Sequence, residues 1–350
     1  MATIRDVAKL AGVSTATVSH VINNSAVVKP ETRSAVQEAI RTLNYRPNPH
    51  ARSLVTNSTG MLSVVRTSRV LAGINAKSFD STIETTFFSD VLEGVESVAN
   101  QAGYQVMVSV LDNAQGQPDD ALNEPPFLSG KADGLLLVGG LLTKRLLERL
   151  IQINMPVALC GARSDLLDYT DIDSEAGIYK ATEYLISLGH ARIAFINGPD
   201  ESQASRRKLL GYRSALAASG IPLDASLVRA SDFSARGGYG ATASLLTEHT
   251  GFTAIIAGTD RIAIGALRYL YTQSIHCPRD CSVIGFGDGL LAEHAIPSLT
   301  TVSMRCEEMG AMVCSMLLLR IQDPAGQQAK RILRPELILR ESTAAIVGAS

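Results

Sequence analysis

Residues 3–24, TIRDVAKLAGVSTATVSHVINN, decide the fold at the start of the chain. Thr3 followed by Asp6 is a capping-box pattern, and apolar residues then recur at helical spacing. Gly12 supplies a turn, and Ser14 caps a second helix. The stretch therefore predicts two short helices joined by a turn, a helix-turn-helix. The alternative is an ordinary helical hairpin inside a larger helical domain.

The second helix has two faces of different character. Val18, Val21 and Ile22 share one side, as a buried face requires. The other side carries Thr15, Ala16, Ser19 and His20. In helix-turn-helix proteins the second helix enters the major groove of DNA, which makes this helix the candidate for base contacts. A third helix is predicted from Pro30 to about Leu43, with Ala35, Val36, Ala39, Ile40 and Leu43 facing inward.

The next segment, RPNPHARSLVTNSTG (46–60), is broken by Pro47 and Pro49. A short helical run is predicted from His50 to about Thr56. Because so short a helix is unstable alone in water, we expect it to become ordered against a partner, and DNA fits best.

Charge is divided unevenly along the chain. The net charge is −2, but residues 1–60 hold seven basic and three acidic residues, a net +4. The remaining 25 basic and 31 acidic residues give the rest of the chain −6. A positive charge concentrated at one end favours contact with phosphates, although modest basic clusters are also common on solvated faces.

The head, the PNPHARSL segment (47–54) and the body that follows resemble the lactose-repressor and galactose-repressor (LacI/GalR) family of bacterial transcription regulators over essentially the whole chain. VSTATVSHVIN (13–23) is most similar to the heads of the purine and ribose repressors. The resemblance implies a homodimer on a near-palindromic double-stranded DNA operator, with Leu54 wedged into the minor groove. Val55 stands where those repressors have a lysine. The DNA-contacting residues implied are Thr3, Ser14, Thr15, Ala16, Thr17, Ser19, His20, Asn23, Tyr45, Arg52, Ser53, Leu54 and Val55.

From Met61 onward, short apolar runs alternate with amphipathic stretches, which predicts an α/β body of mostly parallel sheets flanked by helices. Strands are predicted at 61–65, 104–110, 134–139, 156–161, 192–198, 227–232, 254–259 and 281–287. Helices are predicted at 87–103, 178–190, 208–220, 237–249 and 260–274. The resemblance implies two lobes like those of a periplasmic sugar-binding protein, with a cleft between them.

This organisation divides the chain into a helix-turn-helix domain (1–48) and a hinge helix with its linker (49–60). The first effector-binding subdomain is predicted to combine 61–160 with 293–322. The second is predicted to combine 161–292 with 323–342.

Several effector contacts are carried over from the family. Phe87 and Phe88 match its aromatic pair, with a hydrophobic staple as the alternative. Asp173 and Asp260 match acidic positions near the cleft, but both also suit a helix cap, which we favour for Asp260. The full implied set is Arg66, Phe87, Phe88, Asp173, Lys208, Asp260 and Asp288.

The chain departs from the family at three points. Lys208 replaces an arginine, which keeps the charge but loses the planar fork. Gly287 replaces an aspartate, and Asp288 beside it either reaches the ligand or caps the next helix. The longer loop 66–87 adds Arg66 and Arg69. Together these changes give the hypothesis of an anionic effector, a sugar acid or sugar phosphate; the alternative places the arginines on a solvated loop.

Other functions fit the sequence less well. An enzyme fused to a DNA-binding head is the first alternative, but the catalytic motifs sought are absent, and GGYGATAS (237–244) only loosely resembles a dinucleotide loop. A secreted solute receptor is the second, and the chain has neither a signal-peptide pattern nor a long apolar span. A purine-dependent corepressor mechanism is a further alternative, because the sequence does not fix whether the effector strengthens or weakens DNA binding.

Five scattered cysteines predict reduced thiols. We also expect no metal, no cofactor, no membrane contact and a cytoplasmic dimer.

Overall fold

The computed structural model describes residues 2–23, 28–45, 58–67, 83–111, 132–139, 144–152, 155–200, 202–248 and 251–346. The chain divides into two compact units, Met1–Gly60 and Met61–Ser350. The predicted hinge helix, with Arg52, Ser53, Leu54 and Val55, lies outside the described residues, as does Arg69.

The first unit contains three helices among its described residues: α1 (Ile4–Ala11), α2 (Thr15–Asn23) and α3 (Pro30–Thr42). The Asp6 carboxylate accepts a hydrogen bond from the Thr3 backbone N–H at 2.8 Å, and Gly12 ends α1 with φ +64°. The helices bury Val7, Val18 and Val36 against one another. The predicted helix-turn-helix is confirmed.

One inward-facing prediction in the head is wrong. Ala35 is exposed, whereas Val36 and Ala39 are buried. The core of three short helices is narrow, so only one stripe of α3 reaches it, and Ala35 lies at the solvent edge of that stripe.

The second unit contains two sheets, each of six described strands. In chain order the strands are β1 (Met61–Thr67), β2 (Gln105–Leu111), β3 (Gly134–Val138), β4 (Val157–Cys160), β5 (Asp168–Ile172), β6 (Ile193–Asn197), β7 (Val228–Ala230), β8 (Ala254–Ala257), β9 (Ser282–Gly287), β10 (Thr300–Ser303), β11 (Lys330–Leu333) and β12 (Glu336–Ile338). The first sheet has the order β11-β5-β4-β3-β1-β2 and is parallel throughout. The second has the order β12-β10-β9-β8-β6-β7, with β12 antiparallel to β10.

Helices flank both sheets. In chain order they are α4 (Ile83–Gln101), α5 (Lys144–Gln152), α6 (Ser174–Ser187), α7 (Gln203–Ala218), α8 (Ala235–Glu248), α9 (Asp260–Thr272), α10 (Leu290–Glu293) and α11 (Cys306–Gln322). Every strand and helix predicted for the body coincides with one of these elements, and the α/β fold class is confirmed. The apolar strands β3, β4, β6 and β8 are fully buried, as expected for parallel sheets with helices on both faces, whereas the edge strand β2 is partly exposed.

The predicted lobe boundaries differ from the sheets in detail. β5 belongs to the first sheet, although the prediction ended that subdomain's first segment at residue 160. β10 belongs to the second sheet, although 293–322 was assigned to the first subdomain. The reason is that the chain crosses between the sheets after β5, after β10 and after β11. β5 therefore pairs with the first sheet before the first crossover, and β10 pairs with the second sheet before the next one.

Candidate effector cleft and nucleic-acid interface

A cleft of about 220 Å³ lies between the two sheets of the second unit. Residues at the carboxyl ends of strands from both sheets line it, including Val138, Ile172 and Gly287. Parallel sheets gather ligands at this edge, because the loops that follow the strands leave a crevice there. The topology therefore places the cleft where the sequence predicts it.

The wall on the side of the first sheet is aromatic. Phe87 lies over two glycines, and a Cβ added at Gly161 would come within 3.1 Å of its ring. Phe88 is buried, and the Arg66 guanidinium carbon lies 5.8 Å from the centre of its ring. All three predicted residues, Arg66, Phe87 and Phe88, line the cleft.

Two further rings, which the sequence analysis did not identify, form the wall on the side of the second sheet. Phe286 is the penultimate residue of β9, and Phe233 adopts φ +64° with its ring against Gly198, where a Cβ would lie 1.9 Å from it. Lys208 is buried with its Nζ 3.9 Å from the centre of the Phe286 ring. Its ammonium group donates to the Gly258 carbonyl at 2.7 Å. Lys208 thus lines the cleft as predicted, in contact with an aromatic face.

Asp260 lines the cleft and does not cap its helix, so the cap that we favoured is wrong. Thr259 takes that role and accepts from the Ile262 N–H at 3.2 Å. The Asp260 carboxylate accepts from the Thr301 hydroxyl and from the Gly289 N–H. Burial raises the pKa of Asp260 above its ordinary value, although these hydrogen bonds oppose the rise.

Two predicted effector contacts have hydrogen-bond or ion-pair partners of their own in this structure. Asp173 caps α6, where its carboxylate accepts from the Ala176 N–H at 3.1 Å. Asp288 pairs with Arg340 at 2.6 Å and does not cap α10, which follows it. Neither residue lines the cleft, because each carboxylate is held by a partner outside it.

Asp171 is a cleft residue that the sequence analysis missed. It is the penultimate residue of β5, and its side chain is 3% exposed. Its Oδ2 accepts from Arg163 Nε at 2.6 Å and from Arg207 Nη2 at 2.7 Å. The run Arg206-Arg207-Lys208 was the available signal, since consecutive basic residues in a helix that enters a cleft require acidic partners.

The ionisable residues of the cleft are close to balance. Asp171 is compensated by Arg163 and Arg207, which leaves three basic side chains among the described lining. These are Arg66, Lys208 and Arg261, and they face Asp90 and Asp260. Burial raises the pKa of both of these acids. The cleft therefore carries a small positive excess.

The head presents α2 to solvent on one face. Thr15, Ala16 and His20 are exposed, and Thr17 and Ser19 are half-buried. Ser14 and Thr17 also form the cap of α2, with the Thr17 N–H donating to Ser14 Oγ at 3.1 Å. Tyr45 packs against the core of the head, and the Thr3 hydroxyl donates to Asp6 at 2.8 Å. The Asn23 side chain lies outside the described residues.

Within the described part of the chain, no helix is long and apolar enough to cross a membrane. No group of three or more His, Cys, Asp or Glu side chains in that same part could hold a metal ion.

Residues 3–48 match the model of the lacI family of bacterial regulatory proteins, and 182–343 match a periplasmic binding protein-like domain. The transcriptional regulator CelR of Thermobifida fusca is 34% identical over 97% of this chain and 98% of its own length. The ribose operon repressor of Escherichia coli K12 is 34% identical over 98% of this chain and 100% of its own. The lac repressor dimer bound to operator and an anti-inducer superposes with a TM-score of 0.84 at 28% identity, covering 98% of this chain and 99% of that one. These relatives are transcriptional regulators, and the chain belongs to the lacI family of bacterial regulatory proteins.

Proposed function

We propose that the protein is a dimeric repressor of carbohydrate-metabolism genes, acting in the cytoplasm, where its operator would lie. It binds a palindromic DNA operator, and a small sugar-type effector in the cleft of the body controls that binding. The observation that carries the proposal is one chain with two sites: an exposed face on α2 and an aromatic, charged cleft between two mostly parallel sheets.

The α2 face has the chemistry that base recognition needs. The Thr15 hydroxyl and the His20 imidazole can donate to or accept from base edges in the major groove, and the Ala16 methyl can contact a thymine methyl. Val18 on the opposite side is buried in the head core, which fixes the orientation of that face. Exposed Arg5, Lys9 and other basic residues of the head supply phosphate contacts.

The cleft fits a polyhydroxylated ligand. Phenylalanine rings on both walls can cover the C–H faces of a sugar ring, while buried charged groups bind its hydroxyls. Among related proteins, CelR has been solved in complex with cellobiose, and another relative is a ribose operon repressor. The small positive excess supports a sugar acid as the second candidate effector.

Fluorescence anisotropy on a palindromic duplex tests the DNA interface. His20→Ala is expected to weaken operator binding by about 10-fold or more, since a good base contact contributes roughly 1–3 kcal/mol of discrimination. Gln37→Ala, at an exposed position of α3, serves as the control and should stay within about twofold of the wild type. Equal operator affinities of the His20→Ala variant and the wild type would contradict the placing of α2 in the DNA interface.

The same titration with D-glucose, D-gluconate, D-ribose and cellobiose tests effector control. We expect at least one of them to shift the operator affinity, and the direction of the shift distinguishes an inducer from a corepressor. A response to purines alone would contradict a sugar-type effector.

A further inference from the structure

We propose that Asp171 is an effector-binding residue whose second carboxylate oxygen, Oδ1, accepts a hydrogen bond from a hydroxyl of the bound effector. The inference rests on the proposed function and names a residue through which the cleft selects a polyhydroxylated ligand. It starts from an unequal use of the two oxygens of one buried carboxylate.

Both ion pairs of Asp171 use the same oxygen. Arg163 and Arg207 donate to Oδ2 at 2.6 and 2.7 Å. No donor among the described residues reaches Oδ1. This oxygen is also not one of the buried side-chain atoms that lack a hydrogen-bond partner, so solvent can reach it. A carboxylate oxygen can accept two hydrogen bonds, so Oδ1 keeps its full capacity for a ligand in the cleft that Asp171 lines.

The two arginines fix the position of that oxygen. Arg163 follows β4, and its guanidinium also donates to the Ile172 carbonyl at 3.4 Å. Arg207 comes from α7, which packs beside the second sheet. Because both hold Oδ2, the carboxylate cannot rotate freely, and a preorganised acceptor costs little entropy when a ligand binds. The pairing also connects the first sheet to a helix that packs beside the second.

The other buried acid of the cleft already has a hydrogen bond on each carboxylate oxygen. Asp260 uses Oδ1 for the Thr301 hydroxyl and Oδ2 for the Gly289 N–H. Position 287, where the family pattern has an aspartate, is a glycine with φ +153°. Asp171 therefore supplies, from β5, a carboxylate that the cleft lacks at the end of β9.

The test compares full-length Asp171→Asn with the wild type by isothermal titration, using D-glucose, D-gluconate, D-ribose and cellobiose as probes. The probe that binds the wild type most tightly is expected to lose about 10-fold or more in affinity, since a hydrogen bond to a charged group contributes roughly 1.5–3 kcal/mol. Asp168→Asn is the matched control, because it breaks a similar buried carboxylate–arginine pair on the same strand, outside the cleft lining. Its affinity should stay within about twofold of the wild type.

A second readout separates ligand contact from structural support. Monodeoxy analogues of the bound sugar each remove one hydroxyl. One of them should bind the wild type more weakly, and that penalty should disappear in Asp171→Asn, because residue and hydroxyl form one interaction. A penalty pattern identical in both proteins overturns the proposal, as does unchanged affinity of Asp171→Asn for the parent sugar.

If Asp171→Asn does not fold, a triple variant replaces the whole cluster with apolar side chains: Asp171→Met, Arg163→Met and Arg207→Met. Such replacements are often tolerated where the loss of one partner is not. Loss of the deoxy-sugar penalty in this variant supports the proposal, and its persistence overturns it. Failure of the proposed function looks different: the wild type itself would bind none of the four probes while still binding its operator.

Discussion

At the scale of single residues, the His190 side chain connects Ala344, near the end of the chain, to Thr253, which directly precedes β8. It is 3% exposed, and its two ring nitrogens lie 2.8 Å from Thr253 Oγ1 and 3.1 Å from the Ala344 carbonyl oxygen. A carbonyl can only accept, so Nε2 carries the proton and Nδ1 accepts from the threonine hydroxyl. Both partners are thus satisfied by the neutral ring, and burial lowers the pKa of His190 below its ordinary value.

This shift gives a pH dependence of known sign. The unfolded chain takes up a proton near pH 6.5, whereas the folded protein resists it, so the contribution of His190 to stability is complete above that pH and falls as the pH decreases below it. We expect the midpoint of urea unfolding to decrease between pH 7 and pH 5.5. His190→Gln should reduce that decrease, while His294→Gln, at an exposed histidine, should not. Equal pH dependence in wild type and His190→Gln would contradict the assignment.

The residues of the cleft show what a sequence can and cannot predict at this scale. Phe87 and Lys208 were predicted from the family resemblance, and both line the cleft. The ion pair of Asp288 could not be predicted because its partner, Arg340, lies 52 residues away along the chain. Asp171 was missed for the same reason, since Arg207 lies 36 residues away.

At the scale of elements, β5 explains why some strands escape prediction. Its sequence, DYTDI, is polar, yet all five residues are buried. Asp168 pairs with Arg320 of α11 through two contacts of 2.9 Å, and the Thr170 hydroxyl donates to the Met309 carbonyl of the same helix. These partners come from a distant part of the chain. They form hydrogen bonds with the polar side chains of β5, whose burial would otherwise be too unfavourable for a strand inside the protein. Apolar strands need no such partners, which is why their sequences predicted them.

Helix packing on the first sheet gives the next prediction. α4 and α11 approach so closely that a Cβ at Gly94 would lie 1.9 Å from the Glu307 carbonyl oxygen, and one at Gly310 would lie 2.0 Å from that of Val91. Gly94→Ala must push the helices apart, so we expect it to lower the free energy of unfolding by about 1–3 kcal/mol. Gly240→Ala, in α8 with nothing within 4 Å, should instead stabilise by up to about 1 kcal/mol through helix propensity. Urea unfolding measures both, and equal effects of the two substitutions would contradict the close contact.

At the scale of the whole molecule, function depends on a division of charge between the two units. The head carries +4 and the rest of the chain −6. The phosphates of DNA are therefore attracted to residues 1–60, and the negative net charge of the body disfavours their contact there. In the proposed function, operator and effector bind different units, and any influence of one on the other must then be reciprocal in binding free energy.

Salt dependence tests this division directly. Arg5 is exposed on α1, and each phosphate that a dimer ceases to contact lowers the slope of log K against log salt by about 0.9. Because a dimer has two heads, Arg5→Gln is expected to reduce the slope by about 2 and to weaken operator and scrambled duplexes by the same factor. Lys180→Gln, at an exposed position of α6 in the body, should leave the slope unchanged. Anisotropy titrations between about 50 and 200 mM salt measure the slope. A loss on the operator alone would assign Arg5 to base recognition, and an equal change in the Lys180→Gln variant would place DNA contacts on the body.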